Sequence, residues 1–147
     1  ESVTRMNIGT STPFIGDIRR EWEWVRVGIE EILDKQPQLT FRPEDVYAEC
    51  VNGTATLFID NNNNFAVTTI ETDRHTGKKT FLIWLAWCSN KGLKHYSFIG
   101  MYVPFFEKVA RDFQCSFIEA RTSLQKLGEH YANTGWNLDT MIFTKEL

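Results

Sequence analysis

The chain has 147 residues and 17.1 kDa, enough for one domain. Sixteen Lys+Arg against nineteen Asp+Glu leave a net charge of −3 and a pI near 5.6, with no basic block. That balance argues against nucleic acid or an anionic membrane as a partner. Five Trp, four Tyr and eleven Phe make 14% of the chain, enough apolar surface for a packed core, which excludes a disordered protein.

The three cysteines, Cys50, Cys88 and Cys115, are odd in number, lack C-x-x-C spacing and have no His at a zinc-like distance. They fit a reducing compartment better than a disulfide framework or a metal site. The longest apolar run, Phe81 to Trp87, falls far short of the roughly 20 residues a membrane helix needs. No charged-then-apolar leader is visible, so the expected location is intracellular.

Residues 1–16, rich in Ser, Thr, Gly and Pro, are expected to form a flexible arm before a single domain of residues 17–147. Ile18, Trp22, Val25, Ile29 and Ile32 then recur at helical spacing, with Asp17 as N-cap and Gln36-Pro37 as the stop. Pro43-Glu44-Asp45 reads as a second helix start and Gly53 as its end. Ala55 to Ile59 is a strand, and Asn61–Asn64 supply the turn that returns as a second strand, Phe65 to Thr72. After a turn over Asp73–Lys78, Lys79 to Trp87 forms a third strand. Its run Phe-Leu-Ile-Trp-Leu-Ala-Trp does not alternate, as expected of a strand covered on both faces.

A loop over Cys88–Lys94 leads to a helix from about Tyr96 to Phe113, in which Pro104 marks a kink or late start. Cys115 to Ala120 is a short strand, Leu124, Leu127 and Tyr131 mark a short helix ended by Gly135, and Leu138 to Lys145 is a last strand. The fold class is α+β, with a central mixed antiparallel and parallel sheet carrying helices on both faces. A right-handed crossover brings the third strand and its successor together in parallel.

This order, with the ending Tyr131-Ala132-Asn133-Thr134-Gly135-Trp136, resembles the GNAT superfamily of acyl-CoA-dependent N-acyltransferases over about Asp17 to Leu147, without a recognisable first strand. The family's last helix ends in Tyr-x-x-x-Gly-Phe, and its tyrosine protonates the departing coenzyme A thiolate. The resemblance therefore gives Tyr131 the role of general acid, its alternative being a packing residue on a helix face. It also implies acetyl-CoA or coenzyme A as cofactor, with no metal. The pyrophosphate would lie on the loop formed by Trp87, Cys88, Ser89, Asn90, Lys91, Gly92 and Lys94, where Gly92 lets backbone N–H groups approach and the two lysines offer charge.

The general base for an amine substrate stays open among Glu71, Asp73, His75, His95 and Glu119, since Phe81 to Trp87 carries no acid or His. Short stretches, Pro43-Glu44-Asp45-Val46-Tyr47, Asn52-Gly53-Thr54-Ala55-Thr56-Leu57, Ile83-Trp84-Leu85-Ala86 and Ala120-Arg121-Thr122-Ser123, are similar to small GNAT-like proteins of tailed bacteriophages. That similarity implies a phage-encoded protein in the host cytoplasm or the virion. It is either an N-acyltransferase or an inactive accessory protein whose partners are phage structural proteins. The aromatic residues cluster on the central strand and the segment after it, where they flank the expected coenzyme cleft.

Overall fold

The computed structural model describes residues 12–89, 95–121 and 125–147. Its elements run β1 (Phe14–Ile15), α1 (Ile18–Lys35), α2 (Pro43–Val51), β2 (Thr56–Ile59), β3 (Phe65–Thr72), β4 (Lys79–Trp87), α3 (His95–Asp112), β5 (Phe117–Ala120) and α4 (Gln125–Asn133). Asp17 caps α1 from an extended backbone, its carboxylate accepting the Arg19 N–H at 3.0 Å. In α2, Pro43 occupies the first turn and Asp45 accepts the Arg42 N–H at 2.8 Å, so the proline and the acid set the helix start together.

The five strands form one sheet in the order β1-β2-β3-β4-β5. The first three pairings are antiparallel and β4 pairs β5 in parallel, as the crossover predicts. Two aromatic-rich cores lie against the sheet. One joins Ile18, Val25 and Ile29 of α1 and Val46 of α2 to Leu57, Phe65, Val67 and Leu85. The other joins Tyr102, Phe106 and Ala110 of α3 to Phe58, Phe81 and Ile83. Helices on both faces explain why β4 is apolar at nearly every position.

A second cause is a bulge. Val67 pairs with Leu85 but Thr68 pairs with Ile83, so Trp84 is skipped. Phe81 and Ile83 pack toward α3, whereas Trp84, Leu85 and Trp87 pack toward α1 and α2. A one-residue insertion flips the faces of everything after it. Close approach on the α1 side also explains a glycine inside a helix. A Cβ on Gly28 would stand 2.5 Å from Phe65 and 2.6 Å from Trp87, so ring contact overrides the helical preference for alanine.

Three expectations change. Phe14–Ile15, placed by the sequence in the arm, pairs with Ile59 and Phe58, and the Gly16 N–H reaches the Leu57 carbonyl at 2.9 Å. The sheet thus has a first strand, too short to carry a period; residues 1–11 of the arm lie outside the described residues. β5 starts at Phe117 rather than Cys115, because Gln114 turns into the left-handed region (φ 61°) and the Cys115 N–H bonds back to Ala110, closing α3.

The third change is that 138–145 is no strand. The segment has a strand's residues but, among the described residues, no neighbouring strand, and a strand exists only through a neighbour's backbone. Among the described residues, no helix is long and apolar enough to cross a membrane.

Candidate functional site

The parallel pairing of β4 and β5 covers Thr80↔Phe117 to Ile83↔Ala120 and then stops, while β4 continues to Trp87. Among the described residues, no strand pairs with Trp84–Trp87 on that side, which leaves a gap there. The bulge at Trp84 sits where the pairing with β5 ends. On the α3 side, Ala86 and Cys88 from the end of β4, Ala120 from the end of β5, and Tyr131 and Trp136 from α4 and its exit all rim one apolar cluster. Two of these side chains are alanines, which leave width at the gap. On the other side Trp84 packs against Phe41 of the α1–α2 connection, ring centroids 5.2 Å apart.

The candidate coenzyme residues divide. Asn90, Lys91, Gly92 and Lys94 lie outside the described residues. The Trp87 indole packs on the α1 face, 5.7 Å from the Phe65 ring and 6.5 Å from Trp24, and its N–H reaches Glu31 at 3.3 Å. Cys88 is half-buried in the α3-side cluster. Ser89 is engaged structurally: its N–H donates to Asn64 Oδ1 at 3.0 Å and its hydroxyl donates to the Asn62 carbonyl at 2.8 Å.

Behind Ser89 lies a buried polar network that sequence reasoning missed. Asp60, 6% exposed, accepts the Asn62 N–H at 2.8 Å, the Asn64 N–H at 3.1 Å and the Asn64 side-chain amide at 3.0 Å. Asn64, 2% exposed, passes the connection to Ser89. The hairpin is thereby latched to the segment leading toward α3. The asparagine run signalled the turn, which indeed contains a left-handed residue, Asn63 (φ 57°), but nothing in the sequence paired it with Ser89. Burial first, then the charge of Asp60, raise the phenol of nearby Tyr102 above its ordinary range.

Tyr131 sits in the last turn of α4, its ring 4.8 Å from Trp136. The Trp136 N–H returns to the Tyr131 carbonyl at 3.1 Å, and Gly135 takes the left-handed backbone (φ 95°) that this closure requires. The Tyr-x-x-x-Gly spacing is thus a helix ending that fixes the tyrosine. Burial pushes its phenol up to about 12, so its proton stays on at neutral pH.

Among the base candidates, Asp73 and His75 occupy the β3–β4 turn, at the opposite end of β4 from Trp87. The Asp73 carboxylate there accepts the His75 N–H at 2.7 Å and the Thr76 N–H at 3.1 Å. Those two bonds hold it below the usual carboxylate range. Glu71 and Glu119 are brought together by Arg121, which bonds Glu119 through Nε and reaches Glu71 at 3.5 Å. Glu119 pairs with Leu82 in the register that ends one residue before the gap, so it stands closer to the gap than Asp73 or His75. His95 opens α3, and its side chain lies outside the described ones. Among the described residues no group of three or more His, Cys, Asp or Glu is gathered as a metal would require.

Two of the three raised acids, Tyr131 and Cys50, predict an alkaline limit to stability. Burial lifts Tyr131 from 10.0 to about 12; burial, with the charge of Glu49, lifts Cys50 from 9.0 to about 11. Both groups are neutral when protonated, so the folded state holds their protons more tightly than the unfolded chain. Their contribution is complete below pH 9 and is lost as pH rises through 11 and 12. Melting temperature should be insensitive to these two groups from neutral pH to 9 and fall above it. Tyrosinate absorbance of native protein should lag that of unfolded chain. Coincident titration curves would contradict the burial of Tyr131.

Neither a protein-family model nor a curated protein matches the sequence. Solved structures match closely in shape. A ribosomal-protein-alanine N-acetyltransferase from Brucella melitensis aligns at 12% identity over 93% of this chain and 99% of its own, with a TM-score of 0.66. A Trypanosoma brucei acetyltransferase aligns at 8% identity over 93% and 99%, with a TM-score of 0.68. An aminoglycoside acetyltransferase from an uncultured soil metagenomic sample, solved with sisomicin, aligns at 6% identity over 96% and 99%, with a TM-score of 0.69. Identities this low speak for architecture alone: the chain has the fold of the GNAT acetyltransferases.

Proposed function

We propose that the protein is an acyl-CoA-dependent N-acyltransferase that takes its coenzyme in the gap beyond Ile83 and Ala120. The observation that carries this is the conjunction of the gap, its alanine rim and a proton-bearing Tyr131 on the same cluster. A GNAT coenzyme supplies a thioester, an activated acyl carbon that an amine can take over. The edge of Trp84–Trp87, unpaired among the described residues, offers backbone N–H and C=O groups to an extended pantetheine arm, as an edge strand does to any extended chain. The N-terminus of α3, following this end of β4, provides the partial positive charge that suits a pyrophosphate. Tyr131 holds its proton at Oη, the form a general acid for a leaving thiolate must have. In this reading Glu119, held by Arg121 near the end of the β4–β5 pairing, receives the amine's proton, directly or through water.

Addition of acetyl-CoA should raise the melting temperature and give heat of binding, because a ligand of the native state must stabilise it. Absence of both at millimolar coenzyme would end the enzyme reading. It would favour the second one, an accessory protein of a phage that keeps the fold for contacts with structural proteins.

A further inference from the structure

An amine acceptor must reach the gap from one face of the sheet or the other. On the α3 side Phe81, Tyr102 and Phe106 are at most 2% exposed and form a closed wall. On the α1 side Trp84, the first residue beyond the β4–β5 pairing, is only half-buried. So is Phe41, whose ring centroid stands 5.2 Å from that of Trp84. Two adjoining rings that each keep part of their surface in water make a flat apolar wall at the mouth of the gap.

Strand alternation places charge on the same face. Ile118 and Ala120 pack on the α3-side cluster, so Glu119 between them faces the other way, as Trp84 does. Ile70 pairs with Phe81 of the α3 side, so its neighbour Glu71 shares the face of Glu119. Arg121 bonds both carboxylates. Two acids against one guanidinium leave a net negative charge that suits a single ammonium group. That guanidinium is already engaged, so a carboxylate on the acceptor would meet repulsion there. Lys78 stands over the Phe117 ring at 6.0 Å, toward the far end of the β4–β5 pairing.

We infer that the acceptor is a primary monoamine carried on a flat apolar group, its ring against Trp84 and Phe41 and its nitrogen toward Glu119. The inference rests on the acyltransferase reading and names the substrate class of that site. Each feature of the face works against one competitor. The ring wall disfavours a sugar-like polar body, the engaged Arg121 a free amino acid, and the single net charge a polyamine. The spacing also fits. Glu119 pairs with Leu82, two positions from Trp84 and so about 7 Å along the strand, a span that a ring, a short linker and one hydrogen bond bridge.

Calorimetric titration with phenethylamine, phenylalaninamide, phenylalanine and spermidine, with and without coenzyme A, tests this. The first two should bind about 10-fold or more tighter than the last two. Tighter phenethylamine would make a free arylalkylamine the source of this chemistry, and tighter phenylalaninamide a peptide N-terminus. Phe41→Ala should weaken phenethylamine binding by about 10-fold with an unchanged far-ultraviolet spectrum. Trp84→Leu, which keeps an apolar filler in the core, should act in the same direction. Spermidine or phenylalanine binding as tightly as the ring-bearing amines would overturn the inference, as would undiminished binding in Phe41→Ala. So would a protein that acetyl-CoA stabilises but none of the four amines binds. These results leave the coenzyme reading standing, because the melting shift with acetyl-CoA alone decides it.

Discussion

Replacing Tyr131 with phenylalanine is expected to lower acetyl transfer by roughly 10²–10⁴-fold, the range in which a positioned general acid acts. Coenzyme affinity and melting temperature should stay near those of the parent. The substitution removes one hydroxyl and keeps the ring, so the contact with Trp136 at 4.8 Å and the backbone closure of α4 onto Gly135 survive. The hydroxyl itself matters chemically because burial pushes its phenol up to about 12 and so keeps the proton available wherever the enzyme would work. Since Tyr131 is neutral across that range, the parent's rate profile should show no limb from it below pH 10. Steady-state rates with acetyl-CoA, beside coenzyme titrations of both proteins, make the test. A parallel fall in rate and affinity would make Tyr131 a packing residue; an unchanged rate would assign the proton to another group or to water.

Much of the fold was legible because local signals and packing agree. Asp17, Pro43 and Gly135 each mark a helix end by their own chemistry, and each stands where the structure needs it. β3 and β4 were legible to the residue because turn residues bound them on both sides. What stayed hidden depends on contacts distant in sequence. The bulge at Trp84 is invisible in a run that is apolar on both faces, since a parity flip leaves no mark there. Trp87 reads as a site residue by position, yet its ring is claimed by Phe65, Trp24 and the bare backbone of Gly28, more than twenty residues away. The segment 138–145 shows the converse: its pattern is legible, but a pattern names no partner, and among the described residues none pairs with it.

The candidate site follows the same division. The helix ending that holds Tyr131 has a local signature, Tyr-x-x-x-Gly, which the sequence shows directly. Asp60 has none, because a lone acid beside an asparagine run looks like solvated turn chemistry until Asn64 is seen bridging to Ser89. Asp60→Ala is expected to lower the free energy of unfolding by about 3–5 kcal/mol. The estimate sums the cost of leaving the buried Asn64 N–H and side-chain amide and the part-buried Asn62 N–H without their acceptor, about 1–3 kcal/mol each with partial relaxation. For a chain of this size that corresponds to a fall in melting temperature of roughly 10–15 °C.

Asp60→Asn should cost less, about 1–3 kcal/mol, because its remaining oxygen still accepts the Asn62 and Asn64 N–H groups; its penalty is the amide donor turned toward the Asn64 side-chain amide. The latch also sets where Ser89 begins the connection to α3. Coenzyme affinity of Asp60→Ala should therefore fall even well below its melting temperature, whereas a distant destabilising change of equal size should leave it intact. Calorimetric unfolding and coenzyme titration at low temperature separate the two effects. A loss under about 1 kcal/mol in Asp60→Ala would mean that water satisfies these donors and that the network holds nothing in place.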